Sequence, residues 1–366
     1  MMKKFTFTRS VLFSTIALVS AQSFAESGFP NHQVGLYMRA DAQANQSDDA
    51  TDINGDKDSN RFQFNYLRLN FKGQLNDKTS YRVRYRLDKS LDAGNGIDST
   101  GPGVNYAYID RTVTDNLKVR LGKQYFAGVC GREGDYSGQD VYKYSLTCDV
   151  NPFYRTGVAL MPSFNGQSFV FSAVNTGDET SNQDDFGYAA TWYGNLAEGM
   201  FEPIVSYVYF PRTEQKAAGG AITAKSSADS YFTVGTRFTK DIVQLEADYM
   251  RADIESRIGE EDQSYDTLAL QARLFMMGGK LQPLVKFETS SSDGGDVNTD
   301  DNFKPLDRNA YTVALEYYPD RGKDGVNNFR VHAAYWKSTD DFKNSAKKDL
   351  DTSQLLLGFS LNFTGA

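Results

Sequence analysis

Ten consecutive residues decide the fold of this chain, and they read Thr79-Ser80-Tyr81-Arg82-Val83-Arg84-Tyr85-Arg86-Leu87-Asp88. From Tyr81 onward, apolar or aromatic residues alternate with arginine and aspartate. Successive side chains of a β-strand point to opposite faces, so one face is apolar and the other carries three arginines. A barrel strand needs this pattern when one side meets lipid and the other meets water. The stretch therefore predicts a transmembrane β-strand.

Sixteen segments of similar spacing follow one another along the chain, and the clearest of them alternate in the same way. In residues 243–250, for example, valine, leucine, alanine and tyrosine alternate with glutamine, glutamate and aspartate. The parity changes inside the second segment, which predicts a β-bulge near Tyr66. The segments are residues 34–42, 61–75, 79–88, 104–112, 117–123, 157–161, 167–175, 186–193, 201–210, 231–238, 243–250, 267–275, 281–289, 310–318, 329–336 and 354–363.

The links between these segments alternate strictly, with seven short links and eight long ones. Asn, Asp and Gly dominate the short links, as in Asn165-Gly166, because these residues tolerate positive φ. Single-chain bacterial barrels have short periplasmic turns and longer extracellular loops. We therefore predict an all-β fold, a transmembrane antiparallel β-barrel of about 16 strands. A barrel of about that size encloses an aqueous channel, which points to transport.

Residues 1–25 have the features of a secretory signal peptide. Lys3, Lys4 and Arg9 form a basic start, residues 11–21 are apolar, and Ser23-Phe24-Ala25 is a small-residue cleavage pattern. We expect export through the Sec pathway and one barrel domain over residues 26–366 in the Gram-negative outer membrane. No later run of about 18 apolar residues occurs, which excludes a protein built of transmembrane helices.

The formal net charge is −8, and removal of the three signal-peptide cations would leave −11. An acidic chain of this kind argues against a nucleic-acid partner. The mean hydropathy of −0.52 is that of a soluble protein, but only every second residue of a barrel strand faces lipid. The aromatic content of 13% suits the aromatic girdles of a membrane barrel.

The third long loop, residues 124–155, contains both cysteines, Cys130 and Cys148. In an oxidising periplasm this pair is expected to form a disulfide, with two free buried thiols as the alternative. A stiffened loop suits a constriction folded into the pore, although an extracellular hairpin is also compatible with the sequence. If the loop folds inward, its charged residues line the narrowest zone. These are Arg132, Glu133, Asp135, Asp140 and Lys143.

Cationic side chains share one parity on the second, third and fifth segments. They are Arg68, Lys72, Arg82, Arg84, Arg86, Lys118 and Arg120. A row of guanidinium groups on a low-dielectric wall attracts oxyanions by charge and by bidentate hydrogen bonds. Two interpretations are open: the row steers anions, or it only forms ion pairs within the barrel wall. Acids on other walls, such as Asp88 or Glu246, would add a transverse field.

Four runs of the sequence resemble the phosphate-selective porin O and P family. They are Tyr66-Leu67-Arg68-Leu69-Asn70-Phe71-Lys72-Gly73-Gln74-Leu75, Tyr81-Arg82-Val83-Arg84, Leu121-Gly122-Lys123-Gln124 and Gln282-Pro283-Leu284-Val285-Lys286-Phe287-Glu288. The resemblance implies a trimeric, sixteen-stranded outer-membrane porin with an arginine ladder that guides anions and a third loop folded into the pore. The ladder carries over onto Arg82, Arg84 and Arg86, with Arg68 and Lys72 on the neighbouring strand.

The expected function is passive diffusion of small hydrophilic solutes, with a preference for anions or phosphate. A general or cation-preferring porin and a structural or adhesive barrel are the alternatives. Expected partners are solutes or inorganic anions, lipopolysaccharide and outer-membrane lipid. Two loops are acidic, one with Asp48 and Asp52 and one with Asp293 and Asp296; they either hold divalent cations that bridge to lipopolysaccharide or are simply solvated.

An enzyme is not expected, because the chain has only two histidines, His32 and His332. A hydrolase would need a nucleophile with a histidine base. Neither histidine has Ser or Asp residues at a spacing that marks a catalytic triad. We expect no catalytic residues, no cofactor and no metal site.

Overall fold

The structure is a computed structural model that describes residues 32–48, 58–87, 103–126, 128–136, 142–150, 154–176, 186–212, 215–216, 222–224, 227–255, 262–294, 305–321, 329–343 and 349–365. Sixteen strands close one barrel: β1 (Gln33–Ser47), β2 (Asp58–Asn76), β3 (Thr79–Arg86), β4 (Val104–Thr114), β5 (Leu117–Tyr125), β6 (Tyr154–Phe164), β7 (Gln167–Asn175), β8 (Phe186–Tyr193), β9 (Phe201–Arg212), β12 (Ser227–Lys240), β13 (Val243–Ile254), β14 (Gln263–Leu274), β15 (Leu281–Asp293), β16 (Leu306–Tyr317), β17 (Phe329–Phe342) and β18 (Leu350–Gly365). A separate hairpin pairs β10 (Gln215–Lys216) with β11 (Ile222–Ala224).

Short helical turns interrupt the strands at four places. A one-turn α-helix spans Leu146–Asp149, and 3₁₀ turns span Glu133–Asp135, Ala197–Gly199 and Met277–Gly279. None of the helices in the described ranges is long and apolar enough to cross a membrane. The predicted signal peptide lies outside the described residues.

Each barrel strand pairs antiparallel with its neighbours, and β1 pairs with β18 to close the barrel. The predicted barrel of sixteen strands is therefore confirmed. Every predicted segment corresponds to a barrel strand, although several strands are longer than predicted. The bulge is confirmed as well: Arg39 pairs with Tyr66 and Ala40 with Phe64, which leaves Asn65 as the extra residue. Asn165 and Gly166 form the β6–β7 turn with φ of 51° and 74°.

Alternation gives the barrel an apolar exterior and a polar interior. Leu268 and Leu270 on β14 are exposed on the outer face, whereas Arg273 on the same strand is buried. The described segments of the third loop fill part of the lumen and form an apolar cluster with the inner wall. That cluster includes Phe126, Val129, Cys130, Cys148 and Met250. The fold thus brings a loop against one inner wall and leaves the other wall facing it.

Candidate functional site

Strands β2 and β3 place four arginines on the same inner wall. Across the two strands, Arg68 lies opposite Arg86, Asn70 opposite Arg84, and Lys72 opposite Arg82. Directly paired residues of adjacent strands lie on the same face of the sheet. Val83, between the arginines, is exposed on the outer face. The arginines therefore face the lumen, where sequence parity places them.

Tyrosines hold these guanidinium groups in place by cation–π contacts. The Cζ atoms of Arg82 and Arg84 lie 4.6 and 4.0 Å from the ring centre of Tyr106. Those of Arg68 and Arg86 lie 4.5 and 5.3 Å from the ring centre of Tyr66. Stacking on a ring occupies one face of a guanidinium and leaves its N–H edges available for hydrogen bonds.

Three of these arginines have no ion-pair partner among the described residues. Arg82 Nε donates to Asn70 Oδ1 at 2.8 Å, and a terminal nitrogen of Arg84 donates to the Tyr154 hydroxyl at 2.7 Å. Arg68 and Arg84 are only 4% and 8% exposed, and the Nε of each is buried without a hydrogen-bond partner. Buried N–H groups normally find an acceptor, so these two point to an anionic ligand or to water.

The other predicted cations of this wall have different surroundings. Arg120 forms a bidentate ion pair with Asp110 at 2.7 and 2.9 Å and stacks on Tyr108 at 3.8 Å. Its charge is therefore neutralised locally, as the wall-pairing interpretation expects. Lys72 and Lys118 are exposed on the same inner face as the arginines, closer to the short turns.

The third loop has two described segments, residues 128–136 and 142–150, joined by the disulfide Cys130–Cys148. Both segments bind side chains of the wall opposite the arginines. Asp248 on β13 accepts the backbone N–H groups of Arg132 and Glu133 at 2.8 and 3.1 Å. Glu288 on β15 accepts the Leu146 N–H at 2.9 Å. These contacts lie inside the barrel.

Two further side chains of the loop, one charged and one neutral, extend this attachment. Glu133 forms an ion pair with Lys286 on β15. The Tyr142 hydroxyl donates to Glu316 on β16 at 2.8 Å. Burial next to Glu316 raises the pKa of Tyr142 well above its usual value. The hydroxyl therefore stays protonated and acts as a donor.

The loop residues predicted to line the narrowest zone divide into two groups. Arg132 and Glu133 are buried: Arg132 donates to the carbonyls of Glu202 and Pro203, and Glu133 binds Lys286. They attach the loop to the wall instead of lining open space. Arg132 meets carbonyl oxygens on the wall and Glu133 meets an ammonium group, which is why both side chains turn away from the pore.

Asp135 and Lys143 remain on the lumen side of the loop. Asp135 is paired with Arg132 at 2.8 Å and with Arg237 at 3.4 Å. Lys143 is exposed, and its Nζ lies 5.3 Å from the ring centre of Trp336. Asp140 lies outside the described residues, as does Asp88.

A cavity of about 280 Å³ lies between the arginine wall and the loop, and we call it the arginine–tyrosine chamber. Its lining residues are Tyr66, Arg68, Arg82, Arg84, Arg86, Tyr106, Tyr125, Gly134, Asp135, Tyr136, Tyr144 and Tyr154. Four cations and one already paired carboxylate face this space. Such a lining favours anions over cations.

The tyrosines are the part of the chamber that the sequence analysis missed. Tyr106 and Tyr108 alternate with Ala107 and Ile109 on β4, and that parity signals an inward aromatic pair. Tyr154, by contrast, comes from the start of β6 and gives no local signal. In the described residues, no group of three or more His, Cys, Asp or Glu side chains is arranged to hold a metal ion. Of the acidic loops, Asp52 and Asp296 lie outside the description.

Comparison with known proteins gives a family match. The model of the family described as phosphate-selective porin O and P matches residues 34–255. No curated protein matches the chain.

Several solved structures share the fold at low sequence identity. The outer-membrane channel DcaP of Acinetobacter baumannii is 15% identical with a TM-score of 0.63, over 91% of this chain and 97% of that one. An anion-selective porin from Comamonas acidovorans is 13% identical with a TM-score of 0.61, over 91% and 99%. The trimer form of OmpT, an outer-membrane protein of Vibrio cholerae, is 12% identical with a TM-score of 0.59, over 91% and 99%.

Proposed function

The chain belongs to the phosphate-selective porin O and P family and is an outer-membrane porin, and we propose that its pore prefers anions. The observation that carries this proposal is the charge balance of the chamber. Arg68, Arg82 and Arg84 face it without an ion-pair partner in the described part of the chain. The acids of the opposite wall, by contrast, already have hydrogen-bond or ion-pair partners within the protein.

Most of these acids bind the third loop. Asp248 and Glu288 accept backbone N–H groups of the loop. Glu316 binds Arg273 and Arg330 at 2.7 and 2.9 Å as well as the loop. Glu246 pairs with Arg237. The charges of Glu316 and Glu246 are thus balanced by arginines, while Asp248 and Glu288 are turned towards the loop, so the arginine side dominates the chamber.

The interaction energies indicate that the chamber influences ion selectivity more than the overall charge of the chain does. A monovalent anion about 5 Å from one guanidinium gains about 3 kcal/mol at an effective dielectric constant of about 20. Exposed loop acids farther than about 8–10 Å from the ion are largely screened at physiological salt. The net charge of −8 is therefore a weaker influence on selectivity than the four arginines.

The remaining parts of the proposal concern export, assembly and chemistry. We infer Sec export with cleavage after Ala25, a homotrimer, and contact with lipopolysaccharide at the outer rim. The similarity to the trimer form of OmpT supports the trimer. We infer no catalytic role, because His332 Nε2 lies 2.6 Å from Asp41 and both side chains are buried. A buried imidazole of this kind is closed to a substrate.

The test is the reversal potential of the purified protein in a planar bilayer under a potassium chloride gradient. We expect an anion-selective potential. Arg84→Gln should lower the anion-to-cation permeability ratio about fivefold, a change equivalent to about 1 kcal/mol. The matched control is Arg111→Gln, which removes the same charge from the outer face of neighbouring β4 and should leave the ratio unchanged. A cation-selective native channel would contradict the proposal, and a protein without conductance would support an adhesive barrel instead.

A further inference from the structure

Tyr154 connects the third loop with the arginine wall. It is the first residue of β6, the strand that follows the loop. Its hydroxyl accepts a hydrogen bond from a terminal nitrogen of Arg84 at 2.7 Å, across 70 positions of the chain. Its ring meets the Tyr106 ring edge to face, with ring centres 5.4 Å apart, and Arg84 stacks on that same Tyr106 ring at 4.0 Å. The guanidinium of Arg84 is therefore held by two tyrosines.

The position of Tyr154 is fixed by the base of the loop. Tyr125, the last residue of β5, lies opposite Tyr154 in the register of β5 and β6, and the two ring centres are 5.8 Å apart. These residues are the strand ends on either side of the third loop. The described segments of the loop bind the opposite wall through Asp248 and Glu288. Tyr154 thus has support that does not depend on its contact with Arg84.

Arg84 needs a restraint because like charges surround it. Arg82 and Arg86 are its neighbours on the same face of β3, about 7 Å away along the strand. Arg68 is a diagonal neighbour across the β2–β3 pair. Like charges at such spacings repel each other, and the chamber is the open side of this wall. Repulsion therefore drives an unrestrained Arg84 side chain towards the chamber.

A displaced guanidinium would take up space that ions need. The chamber has a volume of about 280 Å³, which corresponds to about nine waters at about 30 Å³ each. Arg84 is only 8% exposed in its present position against the wall. If its side chain extended into the chamber, the positive charge would remain in the pore, but the passage would be narrower.

We propose that Tyr154 is a positioning residue of the ion path. Its hydroxyl holds Arg84 against the inner wall and so keeps the chamber open. This proposal rests on the anion preference proposed above, because it concerns the placement of one of the arginines that carry that preference. Tyr154 acts through Arg84 and not through its own charge.

The experiment is the single-channel conductance of Tyr154→Phe in potassium chloride, measured together with the reversal potential. The variant keeps the ring and removes only the hydroxyl. We expect the conductance to fall about twofold, because the released guanidinium occupies part of the chamber. The reversal potential should stay anion-selective, because no charge is lost. The matched control is Tyr106→Phe, which removes a hydroxyl that has no hydrogen bond among the described residues and keeps the ring that stacks on Arg84.

A double variant tests whether Tyr154 acts through Arg84. Tyr154→Phe/Arg84→Gln should have the conductance of Arg84→Gln, because no guanidinium is left to be released. A purely structural role of Tyr154 at the base of the loop would instead give the same loss of conductance in both backgrounds, and that result would overturn the proposal.

Two further results separate this proposal from the proposed anion preference. An anion-selective Tyr154→Phe channel with native or higher conductance would overturn the role of Tyr154 alone. A cation-selective native channel would overturn it together with the anion preference.

Discussion

The hydroxyl of Tyr142 in the third loop donates a 2.8 Å hydrogen bond to Oε1 of Glu316 on the opposite inner wall. The same carboxylate binds Arg273 and Arg330. The Tyr142 ring lies over Arg39, with the Cζ atom 4.8 Å from its centre. One loop side chain therefore touches a charge network that extends from β1 to β17, and the second loop segment depends on it.

Tyr142→Phe should loosen that segment without unfolding the barrel. The variant removes one hydrogen bond to a charged group, worth about 1.5–3 kcal/mol, while Glu316 keeps both arginines. We expect larger fluctuations of the open-channel current in single-channel recordings. Tyr188→Phe on the outer face is the control. Current noise equal to that of the native channel would show that this contact does not hold the loop.

Replacing both Cys130 and Cys148 with alanine should weaken the whole loop. The disulfide spans a sequence separation of 18, and closing a loop of that length contributes about 3 kcal/mol. Hydrogen exchange of residues 128–136 should become about 100-fold faster. A reductant added to the folded native channel should have no effect, because both cysteines are 0% exposed. Unchanged exchange in the double variant would contradict the expectation.

Docking of the loop should depend on pH through Asp149. Burial, reinforced by the carboxylates of Glu133 and Glu288, raises the pKa of Asp149 from 3.8 to about 6. A raised pKa in the docked state stabilises that state fully below about pH 3.8, and the contribution is lost as pH rises through about 6. The residue keeps contact with water, so the effect is reduced by solvent screening.

The measurement for Asp149 is the current noise of the native channel at acidic and neutral pH. We expect less noise at the acidic value, and the difference should diminish in Asp149→Asn, which is neutral at both. An equal pH dependence in the native channel and in Asp149→Asn would assign the effect to another group.

The ion pair between Arg120 and Asp110 should contribute little to selectivity. The two charges cancel at 2.7 and 2.9 Å, so replacing both with amides, in Arg120→Gln/Asp110→Asn, leaves the net charge of the lumen unchanged. We expect the reversal potential of the double variant to match that of the native channel, in contrast to Arg84→Gln. If the reversal potential shifted as much as in Arg84→Gln, Arg120 would belong to the anion path after all.

Val83→Arg should be far more harmful than any change at its neighbours in the lumen. Val83 faces outward, and an arginine on the lipid face costs about 2–4 kcal/mol near the membrane midplane. Urea unfolding of the protein in liposomes should show the loss, and Val83→Leu should show none. If Val83→Arg were as stable as the native protein, the assignment of faces on β3 would be in error.

The barrel could be predicted from the sequence because the patterns that specify it lie within single strands. Alternation within β3 or β13 assigns each side chain to a face, and the parity change near Tyr66 gives the position of the bulge at Asn65. The inward direction of Arg82, Arg84 and Arg86 follows from the same rule. The short turns then determine which residues of two successive strands lie opposite each other.

The chamber could be predicted only in part, because its other half depends on long-range contacts. Glu133 meets Lys286 across 153 positions, and Tyr142 meets Glu316 across 174. No local pattern tells which loop residue reaches which inner wall. The sequence therefore indicates a charged loop near the pore. It does not indicate that Arg132 and Glu133 attach the loop to the wall instead of lining the pore.

The pairing of β1 with β18 has a consequence for the size of the barrel. These two strands join through fourteen residue pairs, from Val34 with Gly365 to Ser47 with Thr352, and their seam is what makes the sheet a closed tube. The oxidised loop binds β13, β15 and β16 from the inside. The seam therefore sets the circumference of the tube, and the disulfide-linked loop supports three of its other strands from within.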